Sequence, residues 1–397
     1  MLLLLLSYLK TVCQVPAVFF YSSTRMILAA LTALGVTLFL GPMCIRRLYV
    51  LKTGQSIRVE DCPMLAQLHA KKKDTPTMGG VLILFAMIVA LLLWMDLHSV
   101  FTLLLFVTTL FVGAIGVRDD YLKLKFKNSR GLRSGRKFLL QGVLAAGIAF
   151  YLFYPPCAAW LTSGEWFISP VAREMTQSKE SVLSLATYSA MYYMPFWKEV
   201  LVSVQDISLV FAFLFTMFVI VGSSNAVNLT DGLDGLAAGC LLMVAMVLAL
   251  FGFLSNNQEL ARYLHILYIE GSAEVAIYLF AMAGACLGFL WFNGSPAQVF
   301  MGDTGSLALG AVLGVSAVLL RRELLLGLIG GVFVAETLSV MLQVISYRLR
   351  QKKRIFLCAP LHHHFEYKGW PETKVVLRFW IVNFLLCLLG IMSLKLQ

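Results

Sequence analysis

Five polar clusters in this chain carry side chains suited to chemistry, and each borders a long apolar block. The run Lys71-Lys72-Lys73-Asp74-Thr75-Pro76-Thr77-Met78-Gly79-Gly80 sets three ammonium groups before a helix start. Thr75 or Thr77 can cap that helix, and Gly79-Gly80 admits a close neighbour. The same run also serves as a basic topology signal. Asp119-Asp120-Tyr121-Leu122-Lys123 places adjacent carboxylates at a membrane boundary. They repel each other and are costly to bury unless a divalent cation or a proton relieves them. On a helix the two point about 100° apart, so they need not share a role, and Lys123 reaches either. A solvated pair at a helix end is the plainer reading.

The third cluster runs from Asn225 to Gly235. If it is helical, Asn228, Asp231 and Asp234 fall on one face, and Gly232 and Gly235 leave the backbone open to a ligand. The fourth runs from Trp291 to Ser306 and includes Asn293, Phe300 and Asp303. Asp303 stands at the threshold of an apolar block, where a carboxylate caps a helix or ligates a metal, and Phe300 offers a stacking face to a base. The fifth is Pro360-Leu361-His362-His363-His364-Phe365-Glu366. Three successive histidines do not point one way on a helix and no cysteine accompanies them, which argues against a transition-metal site. Imidazoles suit hydrogen bonding to phosphates and bases near neutral pH.

Elements that span a bilayer must position these clusters. The chain has 397 residues, 59% apolar and 13% charged, with a mean hydropathy of +0.82. A soluble domain is nearer half apolar and a quarter charged. The excess lies in ten blocks, at 26–46, 78–97, 99–117, 137–155, 207–224, 234–254, 271–292, 304–320, 324–347 and 375–395. The expected fold is an all-α polytopic membrane protein of about ten transmembrane helices forming a single domain over 1–397. Residues 1–22 lack a basic leader before Leu2-Leu3-Leu4-Leu5-Leu6 and read as a retained amphipathic or partly inserted segment.

Charge decides the side. The segments 46–77, 117–137 and 348–378 hold 23 of the 32 lysines and arginines. By the positive-inside rule these loops are cytoplasmic. An even number of spans then puts both termini outside (periplasmic), together with the 156–206 loop, in which a short surface helix or hairpin is expected. The net charge of +11 is thereby a property of the membrane side and gives no case for nucleic acid. Eight cysteines without a C-x-x-C pair, most of them in or beside apolar blocks, argue against a disulfide scaffold or a zinc site. All five clusters fall on the basic side. Aspartates and lysines without soft ligands favour Mg²⁺ or Mn²⁺ and phosphoryl chemistry between a soluble substrate and a lipid.

Lys72 to Gly80, Asp119-Asp120 with Lys123, Asn228 to Gly235, Phe300 to Ser306 and Pro360 to Glu366 together resemble the phospho-N-acetylmuramoyl-pentapeptide transferases, within the polyprenyl-phosphate N-acetylhexosamine-1-phosphate transferases. The resemblance covers nearly the whole chain. It implies transfer from UDP-N-acetylmuramoyl-pentapeptide to undecaprenyl phosphate in the bacterial inner membrane, giving lipid I and UMP in peptidoglycan synthesis, with Mg²⁺ as cofactor. It implies Asp303 as the principal Mg²⁺ ligand beside Asp119 and Asp120, with Asp119 activating the lipid phosphate. Lys72 and Lys123 are implied on phosphates, and His362 close to them. Asn228, Asp231, Gly232, Asp234, Asn293 and Phe300 are implied on the uridine side, Gln343 and His363 on the nucleotide-sugar. A homodimer through outer helices is also implied. Asp74 departs from the family, which usually has Gly there. A secondary transporter is the rival from another class, but transporter sites lie near the bilayer midplane, and Glu336 is the only acidic residue well inside an expected span.

Overall fold

Apolar segments of this length have one stable form in lipid, because a helix satisfies every backbone N–H and C=O internally. The computed structural model describes residues 2–12, 16–51, 72, 75–126, 131–164, 166–175, 180–197, 200–203 and 208–394. Lys71, Lys73 and Asp74 lie outside the described residues. The long helices, in chain order, are α1 (Ser22–Val50), α2 (Gly80–Trp94), α3 (Val100–Phe126), α4 (Ser134–Phe153) and α5 (Ser208–Thr230). There follow α6 (Leu236–Ser255), α7 (Ser272–Asn293), α8 (Gly302–Leu319), α9 (Gly331–Leu349) and α10 (Glu372–Met392). They fall on the ten apolar blocks. Among the described residues nine are long and apolar enough to cross a membrane, and α2 is a shorter apolar helix of 15 residues. The chain is a multi-pass membrane protein. The block at 324–347 is divided: Glu323–Ile329 forms a separate short helix, and α9 starts after Gly330.

Successive helices run in opposite directions. The C-terminal ends of α3, α5, α7 and α9 therefore share one face of the bundle with the N-terminal ends of α2, α4, α6, α8 and α10. All five polar clusters belong to this face. At its centre α8 is enclosed along nearly its whole length. Small residues allow that. A Cβ on Gly116 of α3 would lie 2.4 Å from Thr304 Cα, and one on Gly80 of α2 would lie 2.2 Å from Gly305 N. Backbone-to-backbone approach of this kind is how helices gain dispersion contacts in lipid, where burial of apolar surface from water offers nothing. The outer helices do the opposite. Leu338, Met341, Leu377, Ile381, Phe384, Leu385 and Leu388 on α9 and α10 are exposed, as lipid-facing side chains must be.

The opposite face carries the segment expected as a loop. It holds two short helices, Pro155–Thr162 and Leu185–Ser189, and short strands β1 (Ala172–Met175), β2 (Glu180–Leu183), β3 (Met191–Tyr193) and β4 (Val200–Ser203). With β5 (Tyr268–Ile269) they form a three-stranded antiparallel sheet in the order β2-β1-β5 and a β3-β4 pair. Fully buried Arg321 anchors this cover: it donates to the Ser189 carbonyl and lies 3.1 Å from Glu323.

The two faces are separable by experiment. Lys353 is exposed beyond α9, and Trp160, 76% exposed, lies at the other end. In a cysteine-free background, Lys353→Cys and Trp160→Cys should react with an impermeant thiol reagent from opposite sides of the membrane. Reaction of both from one side would refute the helix order.

Candidate active site

The site is built around the start of α8. Helices leave their first N–H groups without partners, and α8 has no side-chain cap of its own. Asp120, from the last turns of α3, supplies the acceptors. Its Oδ2 takes Thr304 N at 2.9 Å and Thr304 Oγ1 at 2.7 Å, while Oδ1 takes Asp303 N at 3.3 Å. Gly302, at φ +74°, makes room, because a Cβ there would lie 2.7 Å from Asp120 Oδ2. Of the two roles open to Asp303, capping is thus performed by Asp120, and the Asp303 carboxylate is turned outward to other groups.

Two ammonium groups meet that carboxylate. Lys123 Nζ lies 2.8 Å from Asp303 Oδ1 and 2.7 Å from Asp119 Oδ2. Lys137 Nζ, from the first turn of α4, lies 2.9 Å from Asp303 Oδ2 and 3.3 Å from Asp119 Oδ1. Asn228, in the last turn of α5, donates to Asp303 Oδ1 at 3.2 Å and to Ser306 Oγ at 2.8 Å. Asp119 Oδ1 also accepts from Leu132 N at 2.7 Å, which draws the turn before α4 against the cluster. Asp119, Asp120 and Asp303 each offer a carboxylate oxygen, and these atoms lie within 4.8 Å of one another. Three hard oxygen donors so close could hold a divalent cation.

The helix that brings Asn228 stops at Thr230, and residues 231–235 turn. The shared helical face expected for Asn228, Asp231 and Asp234 does not form, and the two aspartates separate. Asp231 stays on the α8 side. Desolvation of its carboxyl pushes the pKa up to about 7; the charges of Asp303 and Asp120 add to this, and the Gly302 amide and Lys123 oppose it. Asp234 turns the other way. Its Oδ1 lies 2.6 Å from Lys72 Nζ, and its Oδ2 accepts from Ala297 N at 3.0 Å. Gly232 is not open underneath, because a Cβ on it would lie 2.3 Å from His362 Nε2.

Phe300 belongs to a backbone bracket. Phe300 N donates to Pro76 O, and Gly79 N and Gly80 N donate to the carbonyls of Phe300 and Met301, all at 2.8 Å. These carbonyls, rather than Thr75 or Thr77, cap α2. Phe300 is half-buried, and Lys72 Nζ lies 6.0 Å from its ring centroid. Two other expected residues serve as braces. Asn293 accepts from Gly235 N at 3.0 Å and donates to Val299 O at 2.9 Å. Gln343 accepts from Ile355 N and Phe356 N and donates to Phe356 O, each at 3.0 Å.

The triple histidine lies on a short helix, Leu361–Tyr367, and its rings point to different surroundings. His362 is buried: its backbone N–H donates to Glu336 Oε1 at 3.1 Å, and its ring Nδ1 lies 3.3 Å from Glu336 Oε2. His363 Nδ1 lies 2.7 Å from Glu366 Oε2. His364 Nδ1 accepts from Leu357 N at 3.1 Å.

Comparison with known proteins matches this chain to a family. The profile of glycosyl transferase family 4 covers residues 102–321, and signature 1 of the phospho-N-acetylmuramoyl-pentapeptide-transferases covers residues 72–84. A phospho-N-acetylmuramoyl-pentapeptide-transferase of Protochlamydia amoebophila (strain UWE25) is 60% identical over 410 residues, spanning 100% of both chains. The chain belongs to the phospho-N-acetylmuramoyl-pentapeptide transferase family.

Two polar residues of this candidate site were not singled out by sequence. Lys137 counted only as one more basic residue at the start of a span, and nothing local ties it to Asp303, 166 positions away. Glu372, after Pro371 in the first turn of α10, looks like an ordinary acidic partner for a helix N-terminus. Both of its oxygens instead meet Lys72, at 2.5 and 2.7 Å.

The cap supplied by Asp120 has a measurable value. Asp120→Ala removes three hydrogen-bonded acceptor contacts at once and should cost about 1–2 kcal/mol of stability, as loss of a helix cap does. Asp120→Asn, which keeps one oxygen for Thr304, should fall between Ala and wild type. Thermal unfolding in detergent checks this, and a wild-type midpoint for the Ala variant would remove the cap.

Proposed function

We propose that this chain transfers phospho-N-acetylmuramoyl-pentapeptide from its UDP-linked form to undecaprenyl phosphate, giving lipid I and UMP. The reaction uses Mg²⁺ at the cytoplasmic face of the bacterial inner membrane. The observation that carries this reading is the meeting of Asp119, Asp120 and Asp303 with Lys123 and Lys137, in a chain 60% identical over its full length to a named transferase. The clustering of lysine and arginine on the loops of the same face supports the cytoplasmic orientation, with both termini outside.

The lipid phosphate oxygen attacks the β-phosphorus of the nucleotide. The bond from that phosphorus to the bridging oxygen breaks, and UMP leaves with the oxygen. Charge on the phosphate oxygens is the main obstacle, and positioned positive groups lower it. Lys123 and Lys137, held by the carboxylates, are assigned to the phosphates of the two substrates. Mg²⁺ bound by the carboxylates, with Asp303 as principal ligand, would neutralise phosphate charge further. Asn228 keeps Asp303 oriented. Asp119 receives the Leu132 amide and both ammonium groups, which favours a positioning role toward the lipid phosphate over service as a free base. Phe300 is assigned to the uracil, and Asp231 and Asp234 to the two sides of the nucleotide end. His362 sits beneath Gly232 and supports that turn from below.

Purified protein should release UMP from UDP-N-acetylmuramoyl-pentapeptide in the presence of undecaprenyl phosphate and Mg²⁺, and not from UDP-N-acetylglucosamine. Asp303→Asn should lower turnover by orders of magnitude while the thermal midpoint stays close to wild type. Undiminished turnover of that variant at limiting Mg²⁺ would overturn the metal assignment.

The aromatic subsite is tested separately. Phe300→Ala should raise KM for the nucleotide-sugar, with a stacking loss of about 1–3 kcal/mol, and leave the KM for the lipid nearly unchanged. An unaltered nucleotide KM would take Phe300 out of the site.

A further inference from the structure

We propose that Glu372 is a positioning residue for Lys72, fixing its ammonium group beside Asp234 and on the Phe300 side of the nucleotide site. The inference rests on the functional reading above, since it concerns the nucleotide end of that same site.

Lys72 has a long, flexible stem and a compact charge, so its position is set by what holds the ammonium group. Its three N–H donors face three carboxylate oxygens: Asp234 Oδ1 at 2.6 Å, and Glu372 Oε1 and Oε2 at 2.5 and 2.7 Å. Glu372 Oε1 also accepts from Asp234 N at 2.8 Å. A single carboxylate thus grips both the lysine and the turn that carries Asp234. Asp234 in turn binds Ala297 N, in the loop that leads to Phe300. Lys72, the 231–235 turn, the 294–300 loop and the start of α10 are joined through one cluster of charges.

The cluster is shielded enough to matter. The side chains of Lys72, Asp234 and Glu372 are 23%, 2% and 17% exposed. An exposed pair would contribute little, but charge-assisted hydrogen bonds to a nearly buried carboxylate are strong and directional. No other cation on α10 competes for Glu372. Lys374 and Arg378 both lie over the Trp370 ring, at 5.7 and 4.1 Å from its centroid. Complementing the helix dipole could be achieved by any acidic residue in the first turn; holding Lys72 with both oxygens requires this one.

The test uses the full-length protein in detergent and four forms: wild type, Glu372→Gln, Lys72→Met and the double variant. KM for UDP-N-acetylmuramoyl-pentapeptide, KM for undecaprenyl phosphate and thermal midpoint are measured for each. Glu372→Gln should raise the nucleotide KM on the order of tenfold, as loss of one charged hydrogen bond does, while the lipid KM and midpoint stay close to wild type. In the double variant Glu372→Gln should add nothing to the effect of Lys72→Met, because the two act as one unit. Glu372→Asp, which keeps the charge on a shorter stem, should recover part of the loss. A readout independent of turnover is the acetylation rate of Lys72 by an amine-reactive reagent, followed by mass spectrometry. It should rise severalfold in folded Glu372→Gln. An unchanged nucleotide KM, additive effects in the double variant, or equal acetylation of Lys72 in wild type and Glu372→Gln would overturn the proposal. Wild-type protein that releases no UMP would sink the functional reading instead, and the acetylation rates would still decide the role of Glu372.

Discussion

The start of α8 depends on a carboxylate from a different helix. Asp120 accepts from the backbone of Asp303 and Thr304 and from the Thr304 hydroxyl, so the end of α3 and the beginning of α8 are held in one register. Everything in the site follows from that register. It frees the Asp303 side chain from capping, and it requires the close approach of Gly116 to Thr304. It also sets Asp119, one residue before Asp120, within reach of the same two lysines that meet Asp303. The adjacent aspartates that appear redundant in sequence make different contacts: Asp120 caps α8 and Asp119 meets the two lysines, while both stay within the carboxylate cluster around Asp303.

The helix dipoles favour only part of the cluster. Asp303 at the start of α8 and Lys123 near the end of α3 stand at favourable ends, whereas Asp119 and Asp120 near the end of α3 and Lys137 at the start of α4 oppose their own dipoles and depend on pairing with one another. Partial burial makes isolated charges expensive, and the cluster answers with mutual pairing of three carboxylates and two ammonium groups. Each group of the cluster is thus held in place by the others.

The Phe300 side of this face is braced by amides and backbone as well as by the charges of Lys72, Asp234 and Glu372. Asn293 and Gln343 spend their side-chain hydrogen bonds on neighbouring loops, and the 76–80 and 300–301 segments exchange hydrogen bonds directly. Loops at the end of a membrane bundle have no sheet or helix ladder to keep their shape. These braces provide one, and on them Phe300, Asp234 and Lys72 are presented together.

Composition and block length by themselves pointed to a chain that crosses a membrane on about ten helices, because an uninterrupted apolar block of about 20 residues satisfies its polar backbone in lipid as a helix. The residue types also revealed the chemistry: aspartates, lysines and a histidine run at the helix ends, without soft ligands, read as phosphoryl transfer. The partners within the site were not legible. Asp120 as a cap on α8, Lys137 on Asp303, Glu372 on Lys72 and His362 against Glu336 join positions between 26 and 300 residues apart. The 231–235 turn likewise parts Asp231 from Asp234, which a helical reading would have kept on one face. Local sequence sets helix propensity and hydrophobicity within a few turns. Which charge meets which at the bundle face depends on how closely the glycines of α2 and α3 let α8 approach, and that is decided only when all the helices have packed.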